Sequence, residues 1–268
     1  MTDQLKQQEY RVLARKYRPQ TFNDLIGQET LVRTLTNSIL NNRIAHAYLL
    51  TGVRGIGKTT TARLIAMSLN CEERSQEKFE PCGKCNSCIS VREDRSLDVM
   101  EMDAASKTGV DDIREIIDNV KYKPVSSKYK IFIIDEVHML SKNAFNALLK
   151  TLEEPPAHVK FIFATTEVKK IPITIISRCQ RFDLHRIEKE SLTSHFMGIA
   201  AKENIKINPE AMALIVRSAD GSVRDGLSLL DQAISNETDQ ITAASIVNML
   251  GLADRGNIFD LMDAIFNG

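Results

Sequence analysis

Gly52-Val53-Arg54-Gly55-Ile56-Gly57-Lys58-Thr59 is the stretch on which the fold turns. It satisfies G-x-x-x-x-G-K-[ST], and its flanks supply the context that pattern needs. Ala45 to Leu50 reads as a short buried strand, and Lys58 to Leu69 restores a helical period through Ala62, Ile65, Ala66 and Leu69. Glycines let consecutive backbone N–H groups curl around phosphates, and the following helix adds its N-terminal dipole. Lys58 is then placed to reach the β and γ phosphates of ATP and the Thr59 hydroxyl to ligate Mg2+. Gly52, Gly55, Gly57 and Thr60 complete the expected nucleotide contacts, although Thr60 and Thr61 also suit a cap or packing role on the helix.

Working outward, Leu97 to Met102, Lys130 to Ile134, Lys160 to Ala164 and Arg181 to Leu184 read as further strands. Helical patterns stand over Thr30 to Leu40, Val110 to Val120 and Asn143 to Glu153, the last stopped by Pro155-Pro156. Near-continuous apolar strands alternating with helices predict an α/β fold whose mainly parallel sheet is covered on both faces. After about Asp183 the strands cease. Glu188 to Ala201, Pro209 to Ala219, Val223 to Ile234 and Thr242 to Leu250 predict a small all-helical second domain. The expected boundaries are an ATPase domain over 1–182, a helical domain over 183–250 and, over 251–268, the opening of another helical element, so that the chain is expected to be part of a longer protein.

Open parallel sheets place their ligands outside the C-terminal ends of the strands. Asp135 and Glu136 follow one such strand, Asp135 as a holder of Mg2+ and Glu136 as the group that polarises the attacking water. Thr165 and Thr166 end the next, where a hydroxyl can orient the same water or sense the γ phosphate, or can simply end a strand. Arg178 reads as an exposed cation near the sheet, and Arg224 begins a helix of the second domain, from which it can fold over the γ phosphate.

The summed charge is zero, with 35 basic and 35 acidic residues, and gives no general argument for nucleic acid. Five basic residues face two acidic ones from Met1 to Gln20, against seven acidic and one basic from Asp225 to Gly268, so any steering field is local. There is no apolar run to span a membrane and no signal-peptide pattern at the start, which predicts a cytoplasmic protein. Four of the five cysteines, Cys71, Cys82, Cys85 and Cys88, crowd into eighteen residues. Their spacing suits tetrahedral coordination of Zn2+. An iron–sulfur ligand run is the alternative, but a second ligand set and the proline of the ferredoxin pattern are missing. Four thiolates leave no open position for water, so the metal's role is structural.

Together these residues are similar to a known family over essentially the whole chain. Arg15-Lys16-Tyr17-Arg18-Pro19 with Ile26-Gly27-Gln28, the phosphate loop, the four cysteines and Met102-Asp103-Ala104-Ala105-Ser106 all carry the match. So do Asp135-Glu136-Val137-His138-Met139-Leu140, Asn146 to Pro156, Ala164-Thr165-Thr166, Ser177-Arg178-Cys179 and Gly221-Ser222-Val223-Arg224-Asp225. The chain resembles the ATPase and lid domains of the gamma/tau subunits of the bacterial DNA polymerase III clamp loader, in the AAA+ superfamily. The resemblance implies Glu136 as water activator, Thr166 or Thr165 as first sensor, Arg224 as second sensor and Arg178 as a finger in the neighbouring subunit's ATP site. Tyr17 and Pro19, with Ile26 and Gly27, would border the adenine, and Lys107, Thr108 and Lys142 are candidate DNA phosphate contacts. The implied partners are other loader subunits in a heteropentamer, the sliding clamp, primer–template DNA and, through loader partners, single-strand-binding protein. The family's helical collar would begin near residue 251, and the ten residues before Cys82 resemble a surface insertion. A non-hydrolysing interaction subunit of the same loader and another DNA-associated AAA+ ATPase are the alternatives, and the intact phosphate loop argues against the first.

Overall fold

Three apolar strands buried on both faces, flanked by two partly buried edge strands, lay down the sheet. The computed structural model describes residues 12–74, 79–236, 240–251 and 263–266. Among them β1 (Ala47–Thr51), β2 (Val99–Asp103), β3 (Lys130–Asp135), β4 (Val159–Thr165) and β5 (Gln180–Asp183) form one sheet in the order β2-β3-β4-β1-β5. Every pairing is parallel, with Ala47 opposite Phe161, Tyr48 opposite Gln180, Val99 opposite Ile131 and Lys130 opposite Val159. All strand C-termini therefore meet at one edge, where β1, β3 and β4 deliver the phosphate loop, the acidic pair and the threonine pair.

Alternate side chains feed two cores. Tyr48, Leu50, Ile131, Ile133 and Ile162 pack against α2 (Glu29–Leu40), α3 (Lys58–Asn70) and α4 (Asn86–Arg92), through Leu35, Ile65, Leu69 and Cys88. Leu49, Phe132, Ile134, Phe161 and Phe163 pack on the other face against α5 (Val110–Val120), α6 (Lys142–Glu153) and α7 (Ile173–Ile176), through Ile113, Leu148 and Ile175. Full burial of one such side chain contributes roughly 1.5–3 kcal/mol. The predicted fold class holds.

Three short helices escaped the periodicity: α1 (Leu13–Lys16) and α7 have four residues each, and α4 has seven and follows a cysteine cap. At α5 the Asp112 carboxylate accepts the Gly109 N–H at 3.1 Å, a side-chain cap where acidic residues favour a helix start.

The described residues divide into two compact units, Pro19–Arg186 and a second that joins residues 12–18 with those described from Ile187 on. In the second unit α8 (Lys189–Lys202), α9 (Pro209–Ala219), α10 (Val223–Asn236) and α11 (Ala243–Leu250) share a core that includes Leu192, Phe196, Met212, Ile215, Leu230 and Ile246. α1 (Leu13–Lys16) belongs there too: Leu13 N–H donates to the buried Asp231 carboxylate on α10 at 2.7 Å. The leader was expected inside the sheet domain; a carboxylate 218 residues away draws it elsewhere. The expected collar start lies outside the described residues except for Gly251 and 263–266. No helix among the described residues is long and apolar enough to cross a membrane.

Candidate functional site

The phosphate loop closes because three of its residues adopt backbone that side chains resist. Gly55 and Gly57 have φ of 75° and 101°, and Gly57 caps α3 in the left-handed region. A Cβ on Gly52 would stand 2.7 Å from the Leu184 carbonyl oxygen, so β1 and the segment after β5 approach as closely as glycine permits. Lys58 opens α3 with its side chain 5% exposed, and its Nζ donates to the Gly52 and Val53 carbonyls at 2.9 and 3.0 Å. Burial pushes its pKa down, against the pull of Glu136 and Asp135. The ammonium is thus held inside the curl of its own loop.

Thr59 follows on the same turn, and its hydroxyl donates to Asp135 Oδ2 at 2.5 Å across 76 residues of sequence. The other Asp135 oxygen accepts the Glu136 N–H at 2.9 Å. Glu136 then turns through left-handed backbone, φ 45° and ψ 44°, which separates the two acidic side chains. Its Oε1 lies 3.9 Å from Lys58 Nζ, while its Oε2 accepts both the Thr166 N–H at 3.1 Å and the Thr166 hydroxyl at 3.0 Å.

The two threonines are thereby told apart. Thr165 is fully buried, its Oγ1 taking the Glu167 N–H at 3.0 Å and standing 3.0 Å from His138 Nδ1. Thr166 is the one that touches Glu136. His138 carries a place in the site that the motif alone did not disclose; the signal was there in Asp135-Glu136-x-His138, but its partners come from another strand.

Ile26 and Gly27 sit in a turn secured by Gln28, whose amide donates to the His185 carbonyl at 2.9 Å and accepts the His185 N–H at 3.4 Å. Pro19, Ile26, Gly27 and Thr60 lie in the sheet unit, Tyr17 and Arg224 in the helical one. The Tyr17 hydroxyl donates to Glu203, which pushes its pKa up to about 12. Arg224 is exposed on the first turn of α10. Arg178 follows α7 rather than a strand, and it is not a free cation: it donates to Glu153 at 2.7 Å and to the Thr174 carbonyl at 2.6 Å. Thr108 lies in the loop before α5 and Lys142 opens α6; the two segments are neighbours, since the Thr108 carbonyl accepts the Ser141 N–H at 3.2 Å, and both residues are exposed, as is Lys107.

Cys71, Cys82, Cys85 and Cys88 bring their sulfurs within 4.8 Å of one another, and none is in a disulfide. Four thiolates at ~2.3 Å from a tetrahedral ion stand roughly 3.8 Å apart, so the cluster fits a metal. Backbone N–H groups also point at the sulfurs: Cys82 Sγ accepts from Lys84 and Cys85 at 3.4 and 3.3 Å, and Cys85 Sγ from Cys88 at 3.4 Å. Such donors favour the charged thiolate that a metal requires. The cluster ties the end of α3 to the start of α4. Beyond it, Phe79 stacks on Phe22 with ring centroids 4.4 Å apart, and the Glu80 carboxylate accepts the Phe22 N–H at 2.9 Å.

A parallel sheet with these loops at its strand ends, continued by a helical unit, defines a P-loop nucleotide-binding domain of the AAA+ class with its lid. The solved structure of the Thermotoga maritima RuvB Holliday junction branch migration motor matches with a TM-score of 0.62 at 18% identity, over 94% of this chain and 81% of that one, a likeness of fold. The family described as "DNA polymerase III, delta subunit" matches residues 27–188, and "DNA polymerase III clamp loader subunit, ATPase lid domain" matches residues 191–237. DNA polymerase III subunit tau/gamma of Haemophilus influenzae is 48% identical over 97% of this chain and 37% of its own length. The tau subunit of Bacillus subtilis is 50% identical over 86% and 40%, and the gamma subunit of Buchnera aphidicola 47% over 96% and 70%. The chain belongs to the gamma/tau subunit family of DNA polymerase III. It spans 37% to 40% of the length of the longer relatives.

Proposed function

We propose that the chain is the ATP-hydrolysing motor of a clamp loader, a subunit that helps open a sliding clamp and place it on primed DNA. One observation carries this reading: the bond from Thr59 to Asp135, beside a Glu136 carboxylate anchored on Thr166, assembles loop, metal holder, base and sensor at one strand edge. Lys58 exchanges its bonds to the Gly52 and Val53 carbonyls for phosphate oxygens when nucleotide enters. Thr59 and Asp135 would hold Mg2+, which would supply positive charge against the phosphate oxygens. Glu136 takes a proton from the attacking water as its oxygen bonds to the γ phosphorus and the bond to the β-phosphate oxygen breaks, releasing ADP. Thr166 links this carboxylate to the end of β4 and is the better placed of the two sensor candidates.

Arg178 supplies its guanidinium to the neighbouring subunit's site once it leaves Glu153, and Arg224 reports on nucleotide from the lid. Tyr17, Pro19, Ile26 and Gly27 border the adenine, and Thr60 packs beside the loop. Cys71, Cys82, Cys85 and Cys88 hold a structural Zn2+. Lys107, Thr108 and Lys142 touch DNA phosphates. The partners are other loader subunits, the clamp, primer–template DNA and, indirectly, single-strand-binding protein, in the cytoplasm.

The test is to combine the protein with matched loader subunits, clamp and primed DNA. ATP turnover should rise with clamp and DNA together, and clamps should appear on the DNA. Turnover indifferent to both would turn the assignment toward another AAA+ motor. A purely structural subunit is opposed by the intact Lys58 and Glu136.

A further inference from the structure

One buried ring in the strand-end cluster has no part in the chemistry above. His138 stands in the 3-10 turn Val137–Met139 with its side chain 6% exposed. Its Nδ1 is 3.0 Å from Thr165 Oγ1 and 3.3 Å from Glu136 Oε2, and its Nε2 is 3.5 Å from Glu167 Oε1. The ring therefore spans the gap between the end of β3 and the end of β4. It touches one member of the acidic pair and one of the threonine pair.

Glu136 is held from one side only. Oε2 is met by His138 and by both donors of Thr166, whereas Oε1 points toward Lys58. The residue's left-handed backbone, at φ 45°, is a strained conformation that persists where surroundings over-determine it. A polar ring enclosed at this depth is destabilising unless its nitrogens are used, and here both face oxygen.

We propose that His138 is a positioning residue for Glu136. By engaging Oε2 and bracing the Thr165 hydroxyl, the imidazole keeps Oε1 aimed at the space beside Lys58 where the attacking water stands. It also makes the carboxylate answer to movement at the end of β4. This rests on the reading of Glu136 as the water-activating base.

The experiment uses the assembled loader with clamp and primed DNA, measuring ATP turnover beside equilibrium binding of a fluorescent ATP analogue and the melting temperature. His138→Leu fills the space without the nitrogens, and His138→Asn restores a polar atom near the Nδ1 position. In His138→Leu, kcat should fall by roughly 10- to 100-fold, the scale of a misplaced reacting group, with analogue affinity within about twofold of native. His138→Asn should recover most of the loss, and Glu136→Gln/His138→Leu should turn over no more slowly than Glu136→Gln alone. A His138→Leu enzyme with near-native kcat, one whose defect lies in nucleotide affinity, or an Asn variant as slow as the Leu variant overturns the proposal. If His138→Leu melts early, the kcat and affinity of the Asn variant decide: native affinity with kcat between native and Glu136→Gln upholds the role, and lost affinity removes it. Glu136→Gln measured alongside separates the two readings. Undiminished turnover there removes the base itself, while a dead Glu136→Gln with a healthy His138→Leu removes only the positioning.

Discussion

Lys58 and Asp98 show how single side chains divide between chemistry and architecture. Lys58→Ala deletes the cation that meets the transferring phosphoryl group, and turnover in the assembled loader should fall by at least about 100-fold, with calorimetry registering weaker ATP binding. Undiminished hydrolysis would sink the site. Asp98 directly precedes β2, at the end of the sheet opposite the phosphate loop. It is 1% exposed, and its carboxylate accepts the Val125, Ser126 and Ser127 N–H groups at 2.7, 2.8 and 2.8 Å. Burial works against its charged form, but those three donors outweigh it and hold the pKa below the usual carboxylate value. The stabilisation is complete above the unfolded pKa of ~3.9 and is lost as pH falls through the lower folded value. Asp98→Asn should cost about 2 kcal/mol near neutrality and flatten the acid limb of a melting-temperature profile between about pH 5 and 2. A mutant with an unchanged acid limb would refute this.

At the scale of elements, the cysteine cluster and one glycine contact invite measurement. Cys85→Ser removes a proposed ligand and the sulfur that caps α4, so metal content and melting temperature should drop together, at ~2–4 °C per kcal/mol lost, before the hydrolytic step is touched. Iron in elemental analysis, or metal-free protein of full stability, would contradict the zinc reading. In the helical unit, a Cβ on Gly226 would stand 2.3 Å from Cζ of the fully buried Phe196, so α8 and α10 meet only because that position is bare. Gly226→Ala should destabilise this unit by ~1–3 kcal/mol despite alanine's better helix propensity, and an unchanged thermal midpoint would show that the ring can move aside. What could be read from sequence follows from where each signal lay. α5 and α9 have the boundaries their patterns predict, because apolar spacing and caps are local. The strands were found within two residues for the same reason. α4 and α7 were missed because sulfur and a few core contacts, rather than propensity, hold them. The phosphate loop, the acidic pair and the cysteines were visible as motifs. His138 was not, since its meaning depends on Thr165 at the end of β4 and Glu167 just beyond it.

For the whole molecule, Arg178 offers the sharpest test of assembly. An arginine finger is worth roughly 10³–10⁵ in rate in other P-loop enzymes. Arg178→Ala should leave the isolated chain's nucleotide affinity intact and cut DNA-stimulated turnover of the loader. Mixing it with Lys58→Ala protein separates neighbours: an interface that pairs native finger with native loop turns over, and one that pairs mutant finger with native loop stays dead. Loss of affinity in the isolated chain, or full turnover on assembly, would count against a finger acting between subunits.

The strand order also sets a clock on synthesis. β1 is made first, yet it lies between β4 and β5, with Ala47 opposite Phe161 and Tyr48 opposite Gln180. Its first partner is translated roughly 110 residues later, about 5–25 s at ribosomal rates of ~5–20 residues per second. For that interval a wholly apolar Ala47-Tyr48-Leu49-Leu50 run leaves the ribosome with no edge to join. β2 and β3 can pair sooner, so the nascent chain holds two of the five strands while the one that will carry the phosphate loop waits, a natural client for a chaperone that binds short apolar segments.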